Sequence, residues 1–278
     1  MISRLPTMST NDHEPVTIVT GGTYGLGLDV TIALAKAGHR VLAFGLSSPQ
    51  VSSTAQGFTD LQERAESLGL SEKIKVLEAD VSSAKDTQLV ATTALEHFGR
   101  IDGLVNNAAI GPLGTVLSTD EALFMRILEV NLKGAYLMSR AVLPHLIAQG
   151  GGSIVNVGSG AGYGKPGMAA YASSKGGLLA LSTAMAYDHF HEGVRVNVVI
   201  PGGGGIVTGM SVGRFGGDVE KFTSRPSPGT VAGRPMSGAD MANAIGFLLS
   251  PAAVAISGTV IDVGCFSHQG GPVPIRSN

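Results

Sequence analysis

Seven short runs of β-branched and aliphatic residues, separated by helix-like stretches, constrain the fold of this chain more than any other feature. Each run is apolar at consecutive positions, which is typical of a strand covered on both faces in a parallel sheet. The runs are 16–20, 40–45, 73–80, 102–107, 152–158, 195–200 and 258–264. Their alternation with helices predicts one α/β domain, a Rossmann-type doubly wound parallel sheet of about seven strands with helices on both faces and right-handed crossovers.

The rest of the chain predicts one folded domain with an extension at each end. We expect a flexible, polar N-terminal tail over 1–14, the domain over 15–264 and a C-terminal extension over 265–278. Glycine and proline concentrate at 203–235, which predicts a long surface loop that covers a site, with a disordered linker as the alternative.

Charge and cysteine content exclude several classes of partner. The formal net charge of −2 gives no basic field, so we expect no nucleic-acid partner. No apolar run reaches the length needed to cross a bilayer, and the first residues lack a signal-peptide core, so we expect no membrane partner. The one cysteine, Cys265, excludes an intrachain disulfide and gives no CxxC pair. We therefore predict no metal site and a reduced, cytoplasmic location.

The stretch TGGTYGLG at 20–27 follows the first strand and opens the first helix. Glycines at such a turn allow positive φ and a close approach of a pyrophosphate, while the helix N-terminus supplies free N–H groups. A bare strand-to-helix turn is the alternative, but the position of this turn in an alternating α/β chain favours phosphate binding. The predicted phosphate-binding residues are Gly21, Thr23, Tyr24, Gly25, Leu26 and Gly27.

Several motifs in a fixed order resemble those of the short-chain dehydrogenase/reductase family over residues 15–264. They are the TGxxxGxG turn, Asp80-Val81, Asn106-Asn107-Ala108-Ala109, Asn131, a serine after the fifth strand, Tyr171-x-x-x-Lys175 and Pro201-Gly202. The resemblance implies an NAD(P)-dependent oxidoreductase that interconverts a carbonyl and a secondary alcohol by hydride transfer. It also implies that 15–264 is the catalytic domain, that 203–235 is the substrate loop, and that the catalytic residues are Asn131, Ser159, Tyr171 and Lys175.

Tyr171 and Lys175 lie four residues apart at the start of a helical run, so their side chains point from the same face. A phenol with a reference pKa of about 10 transfers protons poorly at neutral pH. A nearby ammonium, aided by an oxidised nicotinamide ring, favours the phenolate and predicts a lowered pKa for Tyr171. An ordinary surface pair is the alternative interpretation.

Ser159 and Asn131 complete the predicted catalytic group. Ser159 follows the fifth strand, where ligands bind in open α/β sheets, so we expect its hydroxyl to hydrogen-bond a substrate carbonyl. The family's usual spacing before Tyr171 falls on Gly158 instead, and a one-residue deletion in the turn recovers Ser159. Asn131 interrupts a long apolar helix, which is unfavourable unless its side chain is used. The resemblance implies that Asn131 positions a water beside Lys175; a solvent-facing polar residue is the alternative.

The resemblance also assigns the rest of the dinucleotide site. It implies that Asp80 and Val81 bind the adenine, that Asn107 lines the adenosine side, and that Ile206 and Thr208 hold the nicotinamide carboxamide. Alternatively, Asp80 is a helix N-cap and the asparagines form turns. Tyr171 and Lys175 would contact the dinucleotide as well as the substrate.

The end of the second strand predicts which dinucleotide is bound. NAD-preferring relatives carry an acid where this chain has Gly45, and loss of that acid removes repulsion against a 2′-phosphate. Ser47 and Ser48 would donate hydrogen bonds to such a phosphate, although Leu46 and Tyr24 stand where NADP-preferring relatives carry Arg or Lys. The sequence therefore favours NADP(H), with NAD(H) as the alternative.

The helix-like stretch 176–190 is small or apolar around most of its circumference, which predicts a partner surface. The resemblance implies a homodimer or homotetramer that acts on a small carbonyl or alcohol substrate. Two other classes stay open: a non-catalytic nicotinamide-dinucleotide-binding module or redox sensor on the same fold, and a structural subunit.

Overall fold

The computed structural model describes residues 13–47, 57–202, 206–224 and 229–264. Within these ranges seven strands form one sheet, in the order β3-β2-β1-β4-β5-β6-β7, and every neighbouring pair is parallel. The strands are β1 (Val16–Thr20), β2 (Arg40–Gly45), β3 (Ile74–Glu78), β4 (Gly103–Asn106), β5 (Gly152–Val157), β6 (Val194–Ile200) and β7 (Val260–Asp262). The chain starts at the centre, winds to one edge and then crosses back, so the predicted doubly wound sheet is confirmed.

Nine helices surround the sheet in the described part of the chain. They are α1 (Gly25–Lys36), α2 (Gly57–Ser67), α3 (Ala84–Phe98), α4 (Glu121–Leu128), α5 (Gly134–Ala148), α6 (Ala169–Asp188), α7 (Gly209–Gly213), α8 (Val219–Thr223) and α9 (Gly238–Leu249). One core lies between the sheet and α1, α2 and α9, and the other lies between the sheet and α3, α5 and α6.

Side-chain alternation in the central strands fills these two cores. Leu104 and Ile154 belong to the core under α3, α5 and α6, whereas their neighbours Val105 and Val155 belong to the other core. Successive residues of a strand point to opposite faces, so a strand covered on both sides needs apolar residues at consecutive positions. This is the physical reason why the continuous apolar runs predicted the strands.

Two regions differ from the sequence expectation in local structure. A five-residue π-helical turn, Glu129–Lys133, separates α4 from α5 where the sequence indicated one long helix. The glycine-rich segment predicted as a loop contains α7 and α8, because Thr208 and Asp218 cap their first turns with side-chain hydrogen bonds.

The predicted extensions lie almost entirely outside the described residues, and so do Ser48 and Cys265. Glu14, at the end of the predicted N-terminal tail, contacts Arg40 at 2.9 Å and Lys73 at 3.1 Å. None of the helices in the described ranges is long and apolar enough to span a membrane. Among those same residues, no group of three or more His, Cys, Asp or Glu is arranged to hold a metal ion.

Candidate active site

Three segments of the predicted site follow the carboxyl ends of β1, β4 and β5, near the centre of the sheet. The glycine turn follows β1, Asn107 follows β4 and Ser159 follows β5. Since β1 is flanked by β2 and β4, the winding direction of the sheet reverses there. Open α/β sheets bind ligands in the crevice at such a switch point.

Lys175 is buried one helical turn after Tyr171 in the first half of α6. Its Nζ donates a hydrogen bond to the Val157 carbonyl oxygen at 2.7 Å and lies 5.9 Å from the centre of the Tyr171 ring. Burial lowers the pKa of Lys175 to about 8, because a buried ammonium loses its hydration. The two side chains therefore share one buried face of the helix, as the i,i+4 spacing predicted.

The Tyr171 phenol lies in an environment of opposing influences, one of which is the nearby Ser159 hydroxyl. Burial raises the pKa of Tyr171, while the Ser159 hydroxyl and the charge of Arg214 act to lower it. The net direction is upward, opposite to the lowered pKa expected from the sequence. That expectation counted the ammonium of Lys175 and an oxidised nicotinamide ring, but not the loss of water around the phenolate.

The turn after β5 brings Ser159 to Tyr171. Ser159 begins the 3₁₀ turn Gly160–Tyr163, and its Oγ accepts from the Ala161 N–H at 3.1 Å. Gly158 still belongs to the sheet ladder, donating to the Val199 carbonyl at 2.8 Å, and a side chain there would press on Val198. A serine at 158 would thus point into the core, whereas one at 159 reaches the phenol.

Asn131 lies in the π-helical turn and is buried, so it is not a solvent-facing residue. Its Oδ1 accepts from the Ile110 N–H at 2.8 Å, and its Nδ2 donates to the Ile110 carbonyl at 2.9 Å. The same Nδ2 donates to Ser174 Oγ at 3.0 Å, and Ser174 donates to the Tyr171 carbonyl at 2.7 Å. Asn131 therefore links the segment after β4 to the first turn of α6. The sequence did not identify Ser174 as part of this link, although Ser174 lies within the YASSK motif.

The glycine turn has the geometry of a phosphate cradle. Gly21 and Gly25 adopt φ of +59° and +56°, a region that favours glycine. A Cβ on Gly27 would collide with the carbonyl oxygen of Gly21, so the turn and the first residues of α1 pack backbone to backbone. Leu26 is buried in the core, and Tyr24, half-buried at the N-cap, has a pKa raised by that burial.

Thr23 gives a second indication that a polar ligand belongs in this turn. Its Oγ1 is buried and has no hydrogen-bond partner among the described residues. A buried hydroxyl without a partner is unfavourable unless a ligand or water completes it. Together with the free N–H groups at the start of α1, this hydroxyl fits a phosphorylated dinucleotide.

Thr20 and Asn107 join the glycine turn to the end of β4. Thr20 Oγ1 accepts from the N–H groups of Asn107 at 2.9 Å and Ala108 at 2.8 Å. Asn107 Nδ2 in turn donates to the carbonyls of Thr20 at 3.0 Å and Gly21 at 3.1 Å. Asn107 thus supports the cradle through its backbone carbonyls, a contribution of Thr20 and Asn107 that the sequence did not reveal.

Asp80 occupies the turn after β3, next to the buried Val81. It accepts hydrogen bonds from the N–H and the hydroxyl of Ser82 at 2.8 and 2.6 Å, and Arg126 lies 3.5 Å away. Burial acts to raise the pKa of Asp80, but Ser82 and Arg126 outweigh it and lower the pKa. The N-cap of α3 is Ser83, so the alternative role of Asp80 as that cap is wrong.

The end of β2 faces a carboxylate from the neighbouring strand. Gly45 pairs in register with Glu78 of β3. Ser47 donates to Glu78 through its N–H at 3.1 Å and also through its hydroxyl. These bonds lower the pKa of Glu78, so the side chain carries a negative charge beside Gly45.

The start of α7 packs on the glycine turn. Thr208 caps α7 in a reciprocal pair with Ser211, and Ile206 is buried just before it. A Cβ on Gly25 would lie 3.5 Å from Thr208 Cβ. The structure therefore brings Thr208 to the cradle that the sequence assigned to phosphate.

Arg214 extends from the end of α7 over the ring of Tyr171. Its Cζ lies 5.4 Å from the centre of the Tyr171 ring, and its Nε and Nη2 donate to the Gly111 carbonyl at 3.3 and 3.1 Å. The sequence predicted Arg214 only as one residue of a mixed substrate loop. No local pattern signals a contact between segments so far apart in the chain.

Comparisons with known proteins show which family and which relatives this chain resembles. A family model described as short chain dehydrogenase matches residues 15–215. The 2-(S)-hydroxypropyl-CoM dehydrogenase 3 of Xanthobacter autotrophicus is 36% identical over 260 residues, covering 92% of this chain and 97% of that protein. Inactive 2-(S)-hydroxypropyl-CoM dehydrogenase 2 of the same organism is 37% identical over 189 residues, covering 66% of this chain and 81% of that protein. A crystal structure of levodione reductase matches with a TM-score of 0.81 at 27% identity, covering 92% and 98% of the two chains.

Proposed function

Because the chain belongs to the short-chain dehydrogenase/reductase family, we propose that Asn131, Ser159, Tyr171 and Lys175 carry the chemistry of its catalytic domain, residues 15–264. As a member of that family it is an NAD(P)-dependent oxidoreductase acting on CH–OH or C=O groups. The observation that carries the proposal is the buried pair on α6, with Lys175 Nζ 5.9 Å from the centre of the Tyr171 ring. Ser159 acts to lower the pKa of the same phenol, so the two hydroxyls that would meet one carbonyl oxygen influence each other.

In the proposed reaction Ser159 holds the carbonyl oxygen and Tyr171 moves the proton. During reduction the neutral phenol gives its proton to the developing alkoxide, and during oxidation the phenolate takes it back. The buried ammonium of Lys175 stabilises the phenolate, and Asn131 positions a water that connects Lys175 to solvent. A bound nicotinamide dinucleotide would supply or accept the hydride.

The residues that would hold the dinucleotide lie in segments that follow the carboxyl ends of the strands. Gly21, Thr23, Tyr24, Gly25, Leu26 and Gly27 would bind the pyrophosphate side, Asp80, Val81 and Asn107 the adenosine side, and Ile206 and Thr208 the carboxamide. The Thr23 hydroxyl, which has no partner in the part of the chain that the structure describes, supports this assignment, and so does the close backbone packing at Gly27.

Replacing Tyr171 by Phe tests the proposed proton transfer. We expect Tyr171→Phe to bind NADH and NADPH like the native protein and to lose about 10²- to 10⁴-fold of its turnover on a panel of ketones and aldehydes. Tyr136→Phe, at an exposed position of α5, is the matched control and should keep its turnover. Undiminished turnover by Tyr171→Phe would remove Tyr171 as the acid/base.

The same panel separates the enzyme from a non-catalytic dinucleotide-binding module or redox sensor. One relative of this chain, 37% identical over 189 residues, is named as inactive, so similarity at this level does not by itself guarantee turnover. Tight dinucleotide binding by the native chain without turnover of any carbonyl or alcohol would favour the module. A chain that binds neither dinucleotide would favour a structural subunit.

The form of the dinucleotide depends on Gly45 and Glu78. The sequence favours NADP(H), because no acid at Gly45 repels a 2′-phosphate and Ser47 would donate to it. The Glu78 carboxylate favours NAD(H), because a ribose hydroxyl would donate to it and a phosphate would be repelled. Fluorescence titration with NADPH and NADH decides between them: a preference for NADH that Glu78→Gln abolishes would assign the selection to Glu78.

We further propose a homodimer or homotetramer in the cytoplasm. The outer face of α6 exposes small residues and Tyr187, which is 80% exposed, so it offers a flat surface for a second copy. Sedimentation of the native chain beside Ala184→Glu tests this, since a charge on that face should shift the assembly toward monomer.

A further inference from the structure

Arg214 is a charged residue of the described site that the proposed reaction does not use. It is half-buried at the end of α7, with its guanidinium over the ring of Tyr171. The distance of 5.4 Å from Cζ to the ring centre places a full positive charge beside the phenol. A charge that is partly removed from water needs a partner to offset its lost hydration.

Among the described residues Arg214 has no carboxylate partner, unlike Arg40, Arg64, Arg100, Arg126 and Arg234. Arg234, in the same glycine-rich segment, forms two hydrogen bonds with the carboxylate of Asp240, both at 2.7 Å. Arg214 has no ion pair with an acidic side chain of the described residues. Its Nε and Nη2 both donate hydrogen bonds to one acceptor, the carbonyl oxygen of Gly111. Its Nη1 makes no hydrogen bond with any described residue, although a guanidinium has five N–H donors.

The position of Arg214 is built into the site. A Cβ on Gly111 would lie 2.6 Å from Nη2 of Arg214 and 2.8 Å from Sδ of Met210, so only glycine lets the side chain approach this closely. The neighbouring Ile110 is fixed by both amide atoms of Asn131. The guanidinium is therefore held against the same framework that positions Tyr171.

From these contacts we infer that Arg214 is a specificity-determining residue that binds an oxyanion on the substrate. The substrate class is a small ketone or secondary alcohol with a carboxylate, or a similar oxyanion, a few bonds from the reacting carbon. A planar guanidinium binds such a group through two parallel, charge-assisted hydrogen bonds. The inference rests on the proposed function, because it takes the Tyr171 hydroxyl as the position of the reacting oxygen.

Matched pairs of acid and ester substrates test this inference. The pairs are 3-oxobutanoate with methyl 3-oxobutanoate, and 2-oxobutanoate with methyl 2-oxobutanoate. Reduction would be followed with the dinucleotide that binds more tightly, using the native chain, Arg214→Met and Arg214→Lys. Arg140→Met is the control, because Arg140 is exposed on α5 and contacts the Tyr136 hydroxyl.

We expect the native chain to prefer the acid of at least one pair by about 10- to 100-fold in kcat/KM, the range for charge-assisted hydrogen bonds. Arg214→Met should reduce this ratio to about 1, mainly through the KM for the acid. Arg214→Lys should retain part of the preference, and Arg140→Met all of it.

The ratio of kcat/KM for acid and ester also distinguishes oxyanion binding by Arg214 from an effect of Arg214 on the pKa of Tyr171. Loss of the Arg214 charge raises the pKa of the phenol, which slows acid and ester alike and leaves their ratio unchanged. An equal loss on both substrates, or a native chain that prefers the esters, would overturn the inference. No reduction of either compound in either pair, nor of any neutral ketone in the wider panel, would instead count against the proposed function.

A binding measurement covers the case in which Arg214→Met does not fold. Butanoate has no ketone or aldehyde group to reduce, and we expect it to compete with the ketone for the native chain. Butyramide, which is similar in shape and uncharged, should compete about 10-fold more weakly. Equal competition by the two compounds would contradict an oxyanion site.

Discussion

The side-chain cluster around α6 and the glycine turn after β1 meet at the same edge of the sheet but are built in opposite ways. In the cluster, Asn131, Ser174 and Lys175 are buried and each is hydrogen-bonded within the protein. In the turn, close backbone packing replaces side chains, and the Thr23 hydroxyl has no partner among the described residues. The cluster is held together by hydrogen bonds within the protein, whereas the turn leaves a buried hydroxyl that a ligand would complete.

The largest effect should come from adding a side chain to the turn. A Cβ on Gly27 collides with the Gly21 carbonyl, so Gly27→Ala forces the cradle open. We expect dinucleotide affinity to fall by at least about 100-fold and stability by about 1–3 kcal/mol, as in overpacked cores. Calorimetric titration and urea unfolding measure the two effects.

Gly246→Ala is the control, because nothing lies within 4 Å of the new Cβ in α9. It should leave dinucleotide binding unchanged and raise stability by about 0.5–1 kcal/mol. Equal behaviour of the two variants would contradict a tightly packed turn.

The next effect should come from removing a side chain from the cluster. Asn131→Ala leaves the N–H and carbonyl of Ile110 without their partner, which destabilises by about 1–3 kcal/mol. We expect turnover to fall by about 10- to 100-fold while the dissociation constant of the dinucleotide changes little. Asn243→Ala, on the exposed side of α9, is the control. A large loss of dinucleotide affinity in Asn131→Ala would show that the two regions are not separate.

Lys175 makes the unfolding free energy of the protein depend on pH. Its pKa is lowered from 10.5 to about 8 in the folded chain, so between these values the unfolded chain binds the extra proton. Stability rises with pH where the unfolded state binds more protons. The difference in unfolding free energy between native protein and Lys175→Met should therefore shift in favour of the native protein from about pH 8 to 10. A difference that stays flat would mean that the ammonium is not desolvated.

Carbonyl reduction should follow the same titration. The ammonium is present below about pH 8 and the neutral phenol is the proton donor, so the rate of reduction should fall as pH rises through this value. Alcohol oxidation needs the phenolate and should rise with pH. Rates of both directions that show the same pH dependence would contradict proton transfer by Tyr171.

The smallest effect should come from Thr23→Val. This variant distinguishes an effect on ligand binding from an effect on folding. Thr23→Val removes a hydroxyl without a partner, so stability should change by less than about 1 kcal/mol, while dinucleotide affinity falls about 3- to 10-fold. Thr31→Val is the contrasting variant, because Thr31 donates to the Gly22 carbonyl at 2.9 Å. It should lose about 1 kcal/mol of stability. An affinity unchanged by Thr23→Val would mean that the ligand does not complete this hydroxyl.

The sheet was predictable because a strand buried on both faces leaves a continuous apolar run. The glycine turn and the Tyr171–Lys175 pair were predictable because their geometry is set by residues within one or two turns. These features depend on local sequence, and the structure contains all of them.

Features that depend on packing between distant segments were not predictable. The raised pKa of Tyr171 follows from burial, and the position of Arg214 follows from its contact with Gly111 across the site. The π-helical turn at Asn131 forms where its side chain bonds to Ile110 in another segment. The sequence identifies such residues by type but carries no signal of which partner they meet.

Transfer of deuterium from the dinucleotide tests most directly that the two regions act on one nicotinamide. NADH and NADPH deuterated at C4 of the nicotinamide ring would be incubated with the native chain and a ketone that it reduces. We predict that deuterium appears on the carbinol carbon of the product, from one face of the ring only. Product alcohol without deuterium, or with label drawn from solvent, would contradict the account.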